Sequence, residues 1–226
     1  MTTSFTWYGH AAIDLAIGPY HVLVDPFFTG NPAASTTADK VPADFILVSH
    51  GHGDHLGDTV AIAKRTGATV ISNAEISDWL EKHGVKSHAQ HLGGGHTHPF
   101  GYLKLTLALH GSGLPDGAGG GNPCGFLVTA EGKKVYLAAD TGLFGDMQLI
   151  GDEGLDLAAL PIGDNYTMGP DDALRAVKLL RPKHVIPIHY NTFPLLAQDA
   201  AAWARRVEAE TSAKAHVLKP GESFTY

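Results

Sequence analysis

The stretch SHGHGDHLGD, residues 49–58, contains three histidines and two aspartates and directly follows the apolar run FILV, residues 45–48. Such an apolar run predicts a buried strand. An ordinary turn after a strand needs glycine and one or two polar residues. This one places four ionisable side chains within six positions, namely His50, His52, Asp54 and His55. Because a chain gains no packing energy from this pattern, we interpret the stretch as part of a metal site.

Three further candidate ligands follow strand-like runs elsewhere in the chain. His110 comes after LKLTLAL, Asp140 after VYLAA and His189 after VIPI. Strand ends at one edge of a sheet bring such residues together. Imidazole and carboxylate suit zinc and similar ions, and seven candidates are too many for one catalytic ion but match two that share a bridging carboxylate. A lone strand-end histidine such as His189 is more often a hydrogen-bonded core residue, so the interpretation depends on the cluster.

Several motifs of the chain resemble those of known proteins. SHGHGDHLGD resembles the His-x-His-x-Asp-His motif of the metallo-β-lactamase superfamily, and the early aspartate in LVDPF, His110, Asp140 and His189 occur in that superfamily's order. WYGHAA, DPFFTGNP, GNPCGFLV, DTGLFGDM, LPIGDNYTMGP and IPIHYNTFP resemble the uncharacterised protein family 0173 of predicted metal-dependent hydrolases, within the UlaG-like branch. The similarity covers essentially the whole chain, with AADT in place of the expected Gly-Asp-Thr as one departure.

This resemblance implies a fold, a ligand set and a chemistry. The fold class is α/β, a four-layer αβ/βα sandwich of the metallo-β-lactamase type. The first metal would be bound by His50, His52 and His110, the second by Asp54, His55 and His189, and Asp140 would bridge them. The expected cofactors are two divalent ions, zinc or manganese. The expected activity is hydrolysis of an ester, lactone or phosphoester bond of a small molecule by a metal-activated hydroxide that Asp54 orients.

Asp54, His10 and Tyr166 are the candidate catalytic residues. His10, in YGHAA, resembles a family position near the metals, and the alternative is an ordinary strand-end histidine. Tyr166, in the predicted loop GDNYTMGP, either donates a hydrogen bond to a developing oxyanion or packs its loop. Asp164 and Asn165 in the same loop are further polar candidates for substrate contact.

Other polar residues have supporting or structural interpretations. Asp25, in LVDPF, matches the early aspartate of the superfamily and would orient the ligand loop, or else it is a plain turn residue. Thr141 is expected to hydrogen-bond to the neighbouring carboxylate of Asp140. We expect the histidines of HLGGGHTHPFG, residues 91–101, to be solvated loop residues, and Cys124 to be a small buried hydrophobe.

Composition and pattern place the chain among globular α/β proteins. It has 226 residues, of which 44% are hydrophobic and 17% charged. A β-meander is predicted at the start, and strand-like and helix-like segments are interspersed after it. The predicted helices cover residues 57–67, 74–84 and 169–182, and a long last helix carries Leu196, Ala200, Trp203 and Val207. Because no change of composition marks a linker, we predict one domain over residues 1–226.

Charge and cysteine content bear on partners and location. The formal net charge of −7 argues against a dedicated nucleic-acid surface. Cys124 is the one cysteine, so no intramolecular disulfide forms, as is usual in the reducing cytoplasm. The N-terminal segment lacks the pattern of a signal peptide, and no apolar run approaches about 18 residues. We expect a cytoplasmic protein with a small-molecule substrate and no nucleic-acid or membrane partner, and the family resemblance implies that it can form a homo-oligomer.

The residues leave other functions open. A redox di-iron protein can use the same scaffold, but such relatives typically place a carboxylate where this chain has His52, which favours zinc or manganese. A metal-binding protein without catalytic activity is also compatible with an intact ligand set. Turnover on a panel of esters, lactones and phosphodiesters separates an enzyme from a binding protein.

Overall fold

The chain begins with the predicted β-meander. The computed structural model describes residues 3–226. Its first three strands, β1 (Thr3–Gly9), β2 (Ala12–Ile17) and β3 (Tyr20–Val24), pair antiparallel in sequence order. Burial alternates along β1, with Phe5 and Trp7 facing inward, because successive side chains of a strand point to opposite faces.

Parallel strands and crossover helices extend this meander into the first sheet. Its remaining elements are β4 (Phe45–Leu47), α1 (Gly53–Leu56), α2 (Thr59–Thr66), β5 (Thr69–Ser72), α3 (Ala74–Lys82) and β6 (Ser87–Ala89). The strand order is β14-β1-β2-β3-β4-β5-β6, in which the last strand of the chain, β14 (Ser223–Thr225), lies at one edge and β6 at the other. Gly67 ends α2 in the left-handed conformation, as its position in the sequence predicts.

The second sheet also has seven strands, in the order β13-β12-β11-β10-β9-β8-β7. Its strands are β7 (Gly95–His98), β8 (Gly101–Leu107), β9 (Cys124–Ala130), β10 (Lys133–Leu137), β11 (Leu157–Pro161), β12 (His184–Ile188) and β13 (Lys214–Ala215). The first four pair antiparallel and the last three continue in parallel. The helices between them are α4 (Met147–Gly151), α5 (Pro170–Leu180) and α6 (Ala200–Glu210).

Two hydrophobic clusters hold the layers together. The larger contains side chains of both sheets, such as Phe5 and Phe126, together with Leu174 of α5 and Trp203 of α6. The smaller packs α2 and α3 against strands β3, β4 and β5. The predicted four-layer αβ/βα sandwich is confirmed, with helices on the outside of two facing sheets. The assignment of all residues to one domain stays a prediction.

Two predictions about local structure are wrong. Leu196 does not belong to the last helix but to a separate 3₁₀ turn, Pro194–Leu196, because the Asp199 side chain caps α6 by accepting a hydrogen bond from the Ala202 N–H at 2.8 Å. The segment with His96 and His98 is not a solvated loop but strand β7, and His98 is buried.

The expectation for Cys124 is confirmed, because it is fully buried as a free thiol. Within residues 3–226, none of the helices combines the length and apolar character that crossing a bilayer requires.

Candidate metal centre

The directions of the strands explain why the predicted ligands meet. In the first sheet β1, β3 and β4 run the same way, and they are followed by His10, Asp25 and the stretch 49–58 respectively. In the second sheet β8, β10 and β12 run the same way, and His110, Asp140 and His189 lie beyond their ends. The two sets of strand ends face each other across one edge of the sandwich, where α/β proteins usually bind ligands.

The stretch 49–58 wraps around this edge through a one-turn helix. Residues 53–56 form α1, which leaves His55 fully buried and Asp54 partly exposed. Gly57 has a φ of +41°, and a Cβ there would lie 2.6 Å from the Pro26 carbonyl oxygen, so the turn requires glycine. Asp58 accepts hydrogen bonds from the N–H groups of Phe28 and Thr29 at 2.9 and 2.8 Å. These contacts fix the loop on the segment after β3.

The predicted ligands of the first ion form one compact group. Ring nitrogens of His50, His52 and His110 all lie within 4.8 Å of one another. The ring centroids are 4.6 Å apart for His50 and His52, 4.9 Å for His50 and His110, and 5.0 Å for His52 and His110. This is the spacing at which three imidazoles can share one ion.

The predicted ligands of the second ion form a neighbouring group that has one additional member. Ligand atoms of Asp54, His55 and His189 lie within 4.8 Å of one another, and so does a ring nitrogen of His10. His189 has a φ of +55°, and its N–H donates to the carbonyl oxygen of His10 at 2.9 Å. The sequence predicted His10 near the metals, and the structure places it against this second group.

Asp140 lies between the two groups. Its Oδ2 atom is 3.1 Å from Nε2 of His189, 3.3 Å from Nε2 of His55 and 3.5 Å from Nε2 of His110. The side chain is only 3% exposed. One carboxylate oxygen therefore contacts members of both groups, which is the position that a bridging ligand requires.

Several donor atoms of the centre are unsatisfied in a way that a bound cation would relieve. Oδ1 of Asp140 is buried and has no hydrogen-bond partner, and the buried Nε2 atoms of His55 and His189 approach Oδ2 of Asp140 without hydrogen-bond geometry. Unsatisfied buried polar atoms are costly, and a native structure contains few of them. Here several converge, and all are nitrogen or carboxylate donors of the kind that zinc and manganese accept. The residues present therefore fit bound divalent metal.

Asp25 orients two of the predicted ligands, His55 by a direct hydrogen bond and His50 through Ser49. Its Oδ2 accepts hydrogen bonds from Nδ1 of His55 at 2.8 Å and from Oγ of Ser49 at 2.6 Å, and its Oδ1 accepts the Ser49 N–H at 2.8 Å. Since the Ser49 hydroxyl donates to Asp25, it accepts from Nδ1 of His50 at 2.9 Å. Both imidazoles thus carry a proton on Nδ1 and direct Nε2 toward the centre. Asp25 is more than a turn residue.

His10 connects Asp54 to the opposite sheet. It is fully buried, with Nε2 3.2 Å from Oδ2 of Asp54 and Nδ1 2.8 Å from Oγ1 of Thr192. Burial lowers the pKa of His10 to about 4, although the hydrogen bond to Asp54 acts in the opposite direction. Burial raises the pKa of the Asp54 carboxyl, but the hydrogen bond from His10 and the charge of His55 outweigh it, so the net pKa is lowered. At neutral pH a neutral His10 therefore donates to an ionised Asp54.

His55 and Asp140 shift each other's ionisation. Burial lowers the pKa of His55, but the carboxylates of Asp140 and Asp25 outweigh it and hold that pKa well above its usual value. Burial raises the pKa of Asp140, but His189 and His55 outweigh it and hold that pKa well below its usual value. The pKa of His50 is far below normal because of burial and then the charge of His55. Without metal, one proton on His55 partly balances the carboxylates, and a bound cation displaces it.

The centre opens into a cavity of about 400 Å³. Its lining combines candidate ligands with Tyr166, Phe193 and Leu195, which are exposed at its mouth, and with the buried Leu196. Tyr166 and Leu195 are 57% and 64% exposed. A volume of this size matches that of small-molecule sites.

Not every predicted site residue lies at this cavity. Asp164 and Asn165 are not among the residues that line it, and they form a tight turn in which Oδ1 of Asp164 accepts the Asn165 N–H at 2.9 Å. The expectation for Thr141 is wrong. Its hydroxyl donates to the Gly142 carbonyl and accepts the Leu109 N–H, and so it supports the loop instead of the Asp140 carboxylate.

Four residues that shape the centre were not among those predicted from the sequence. Ser49 and Thr192 orient histidines, and Phe193 and Leu195 line the cavity mouth. All four stand next to or within a few positions of a predicted ligand, in SHGHGDHLGD or in IPIHYNTFP and the residues after it. Their closeness in sequence to predicted ligands could have indicated a role in the site, but their residue types alone did not distinguish them from ordinary loop residues.

The chain is similar to known proteins over nearly its full length. A model of the beta-lactamase superfamily domain matches residues 20–190. The UPF0173 metal-dependent hydrolase of Heliobacterium modesticaldum is 54% identical over 228 residues, which cover 97% of this chain and 96% of that protein. A UPF0173 metal-dependent hydrolase of Thermus thermophilus is 53% identical over 214 residues, which cover 95% of each.

A solved structure shows the same fold. Igni18, a metallo hydrolase from the hyperthermophilic archaeon Ignicoccus hospitalis, superposes with a TM-score of 0.92 at 38% sequence identity. The match covers 100% of this chain and 99% of that one.

Proposed function

From the fact that this chain belongs to the UPF0173 metal-dependent hydrolases of the beta-lactamase superfamily, we propose that it hydrolyses an ester, lactone or phosphoester bond of a small molecule by means of two divalent ions. The ions are zinc or manganese, because the donor set is nitrogen and carboxylate oxygen without thiolate. His50, His52 and His110 would hold one ion and Asp54, His55 and His189 the other, and the carboxylate of Asp140 lies between the two groups, where it could serve both ions.

The observation that carries this proposal is the position of Asp140. Its Oδ2 lies 3.1–3.5 Å from ring nitrogens of both histidine groups. A carboxylate that served a single ion would not need to reach His110 and His189 at once. Two separate groups with one shared buried carboxylate favour a dinuclear centre over a mononuclear one.

The residues of the chain provide orientation. When bound, the divalent ions lower the pKa of water toward about 7 and polarise the oxygen of the bond that is attacked. Asp54 is ionised and lines the cavity, so its carboxylate accepts a hydrogen bond from the attacking water and holds that water in place. Nε2 of His10 fixes the Asp54 carboxylate through its hydrogen bond. Tyr166 is at the cavity mouth, where its phenol donates to the oxygen of the substrate.

The cavity favours substrates with an apolar group. Phe193, Leu195 and Leu196 line it, and none of the described residues that line it is lysine or arginine. A phosphate ester with two negative charges usually binds to such cationic side chains. The preferred candidate substrate is therefore an uncharged ester or lactone, and the second candidate is a phosphoester with an apolar substituent.

The alternative is a di-metal protein that has a redox role or no catalytic role. His52 occupies a position in the first group where a redox iron pair would favour a carboxylate. An open cavity with an ionised Asp54 beside the centre also favours hydrolysis over metal binding alone.

Metal analysis followed by a substrate panel tests the proposal. Protein reconstituted with zinc or manganese should hold two ions in the centre and hydrolyse at least one aryl ester, lactone or phosphodiester. In ¹⁸O-labelled water the label should enter the product, with no covalent enzyme intermediate. The chelated protein is the control. A trapped acyl- or phosphoryl-enzyme, or a fully metal-loaded protein that turns over no member of the panel, contradicts the proposal.

A further inference from the structure

Three histidines outside the catalytic centre meet where the two sheets end. His88 lies on β6, the edge strand of the first sheet, and His96 and His98 lie on β7, the edge strand of the second. Because residues two apart on a strand face the same side, His96 and His98 point together toward β6. We propose that these three side chains, the edge histidines, bind a third divalent metal ion that links the two sheets.

The spacing of the edge histidines matches that of a metal-binding triad. Their ring centroids are 4.6 Å apart for His88 and His96, 4.9 Å for His88 and His98, and 4.7 Å for His96 and His98. The triad of the first metal group has separations of 4.6, 4.9 and 5.0 Å. The edge histidines are therefore as close to one another as the catalytic ones.

The two clusters differ in the orientation of their rings. Among the described residues, ring nitrogens of three histidines gather within 4.8 Å of one another at the catalytic centre and not at the edge. Binding an ion at the edge therefore requires a ring to turn. His96 is exposed, so its side chain can change rotamer without disturbing the core.

His98 is held in the form that a ligand needs. Its Nε2 is 2.9 Å from Oε1 of Gln90, and Nε2 of Gln90 donates to the Leu103 carbonyl at 3.3 Å. Since the amide nitrogen of Gln90 is used as a donor, its oxygen accepts the Nε2–H of His98. Nδ1 of His98 then carries a lone pair. A ligating histidine commonly donates its other N–H to a carbonyl in this way.

The environment favours the neutral form of His88 and His98. Burial lowers the pKa of His98 to about 4, and the neighbouring His88 and His96 add to this effect. Burial and the proximity of His96 also lower the pKa of His88. Neutral imidazole is the form that binds metal. The ring of His98 also stacks on Phe100, with centroids 5.3 Å apart and planes inclined by 5°, which holds it in place.

An ion at this position would reinforce a weak part of the sandwich. Strand β6 has three residues and β7 has four, and both are at the ends of their sheets. Short edge strands have few ladder hydrogen bonds. A ligand from β6 and two from β7 would connect the sheets at the side where neither has a further strand.

Zinc binding by single-residue variants tests the proposal. Protein with a filled catalytic centre is dialysed against micromolar Zn²⁺, and bound zinc per chain is measured for wild type, His88→Gln, His96→Gln and His91→Gln. His91 is the matched control, because it is an exposed histidine of the same segment outside the cluster. Wild type and His91→Gln should bind one zinc ion more per chain than His88→Gln and His96→Gln.

Thermal unfolding provides a second measurement that does not depend on activity. Added Zn²⁺ should raise the unfolding midpoint of catalytically loaded wild type and of His91→Gln, and this rise should be lost in His96→Gln. All variants should keep wild-type turnover. Equal zinc content in wild type, His88→Gln and His96→Gln would overturn the proposal, and so would an equal midpoint shift. Because only differences between variants count, the result is independent of how many ions the catalytic centre holds.

Discussion

Two aspartates reach the catalytic centre from opposite sheets and have different surroundings. Asp140 follows β10, is 3% exposed and touches histidines of both groups. Asp54 lies on α1, has a side chain that is 36% exposed and is held by His10. Burial and multiple contacts suit a bridging ligand, whereas exposure to the cavity suits a group that meets the attacking water. Replacing each aspartate by the uncharged asparagine should therefore affect metal content and turnover differently.

Asp140→Asn and Asp54→Asn test this difference. In the proposed two-ion centre, Asp140→Asn removes a charge that both ions would share, so metal content should fall in both groups together. Asp54→Asn should retain the first ion while turnover falls by about 10²–10⁴-fold, the usual effect of losing one general-base or orienting group. Metal content, circular dichroism and turnover on the best panel substrate are the measurements. Both substitutions conserve size, so each variant should keep the wild-type circular dichroism spectrum. Normal metal content and activity in Asp140→Asn would contradict its bridging role.

Thr192→Val tests whether His10 positions Asp54. The Thr192 hydroxyl is 2.8 Å from Nδ1 of His10, and valine has nearly the same shape without a donor. A buried Nδ1 without a partner costs about 1–3 kcal/mol, and His10 can then exchange its proton between the two ring nitrogens and lose the hydrogen bond to Asp54. Unfolding by denaturant should show this loss of stability, and kcat should fall with little change in KM. Thr192→Ser keeps the hydroxyl and should restore both. A Thr192→Val variant with unchanged kcat would show that this hydrogen bond does not position Asp54.

At the scale of elements, the strand ends were the predictable part of the site. The runs before His50, Asp140 and His189 are apolar and bounded, so each strand and its end could be located in the sequence. That these ends meet follows from strand direction, since β4 belongs to one sheet and β10 and β12 to the other. The sequence does not show which strands share a sheet or in which direction they pair, so the convergence was inferred from the strand-end rule and the assignment of ligands to each ion from the family resemblance.

The missed elements lack the signals on which prediction depends. Strand β7 has the sequence GHTH, in which three of four residues are exposed, so no apolar alternation marks it. The helix α1 has four residues and lies within the metal motif, whose polar residues and glycine show no helical pattern of apolar side chains. Leu196 has helical spacing to Ala200 and Trp203, but the capping carboxylate of Asp199 starts the helix later. In each case a local or tertiary contact decided the conformation.

The loops after β11 and β12 pack so closely that one methyl group should disturb the centre. A Cβ at Gly163 would lie 2.2 Å from the carbonyl oxygen of His189. Gly163→Ala should therefore displace His189, lower the metal content of the second group and cost about 1–3 kcal/mol, as overpacking usually does. The measurements are metal content and denaturant unfolding. Gly145→Ala is the control, because a Cβ there meets nothing within 4 Å and no left-handed φ is required. Equal metal content in the two variants would contradict this account of the contact.

At the scale of the whole molecule, the candidate metal centre brings together residues of the two sheets. His50, His52, Asp54 and His55 come from the first sheet, and His110, Asp140 and His189 come from the second. The two hydrophobic clusters do not depend on these residues, because they are formed by apolar side chains. The fold should therefore persist without metal, while its stability should depend on metal that binds the folded state alone.

Metal removal measures this dependence. A ligand present at about 1,000 times its dissociation constant stabilises the folded state by about 4 kcal/mol. For a protein of this size, about 2–4 °C of unfolding midpoint corresponds to each kcal/mol, so the loss of each ion bound this tightly should lower the midpoint by roughly 8–16 °C, and the loss of both proposed ions by about twice as much. The experiment is best performed on His96→Gln, which removes the contribution of the edge histidines. The chelated protein should keep its circular dichroism spectrum at 25 °C and regain its midpoint when zinc or manganese is restored. An unchanged midpoint after complete chelation would mean that the centre does not link the sheets energetically, and unfolding at 25 °C would mean that the two clusters are insufficient without it.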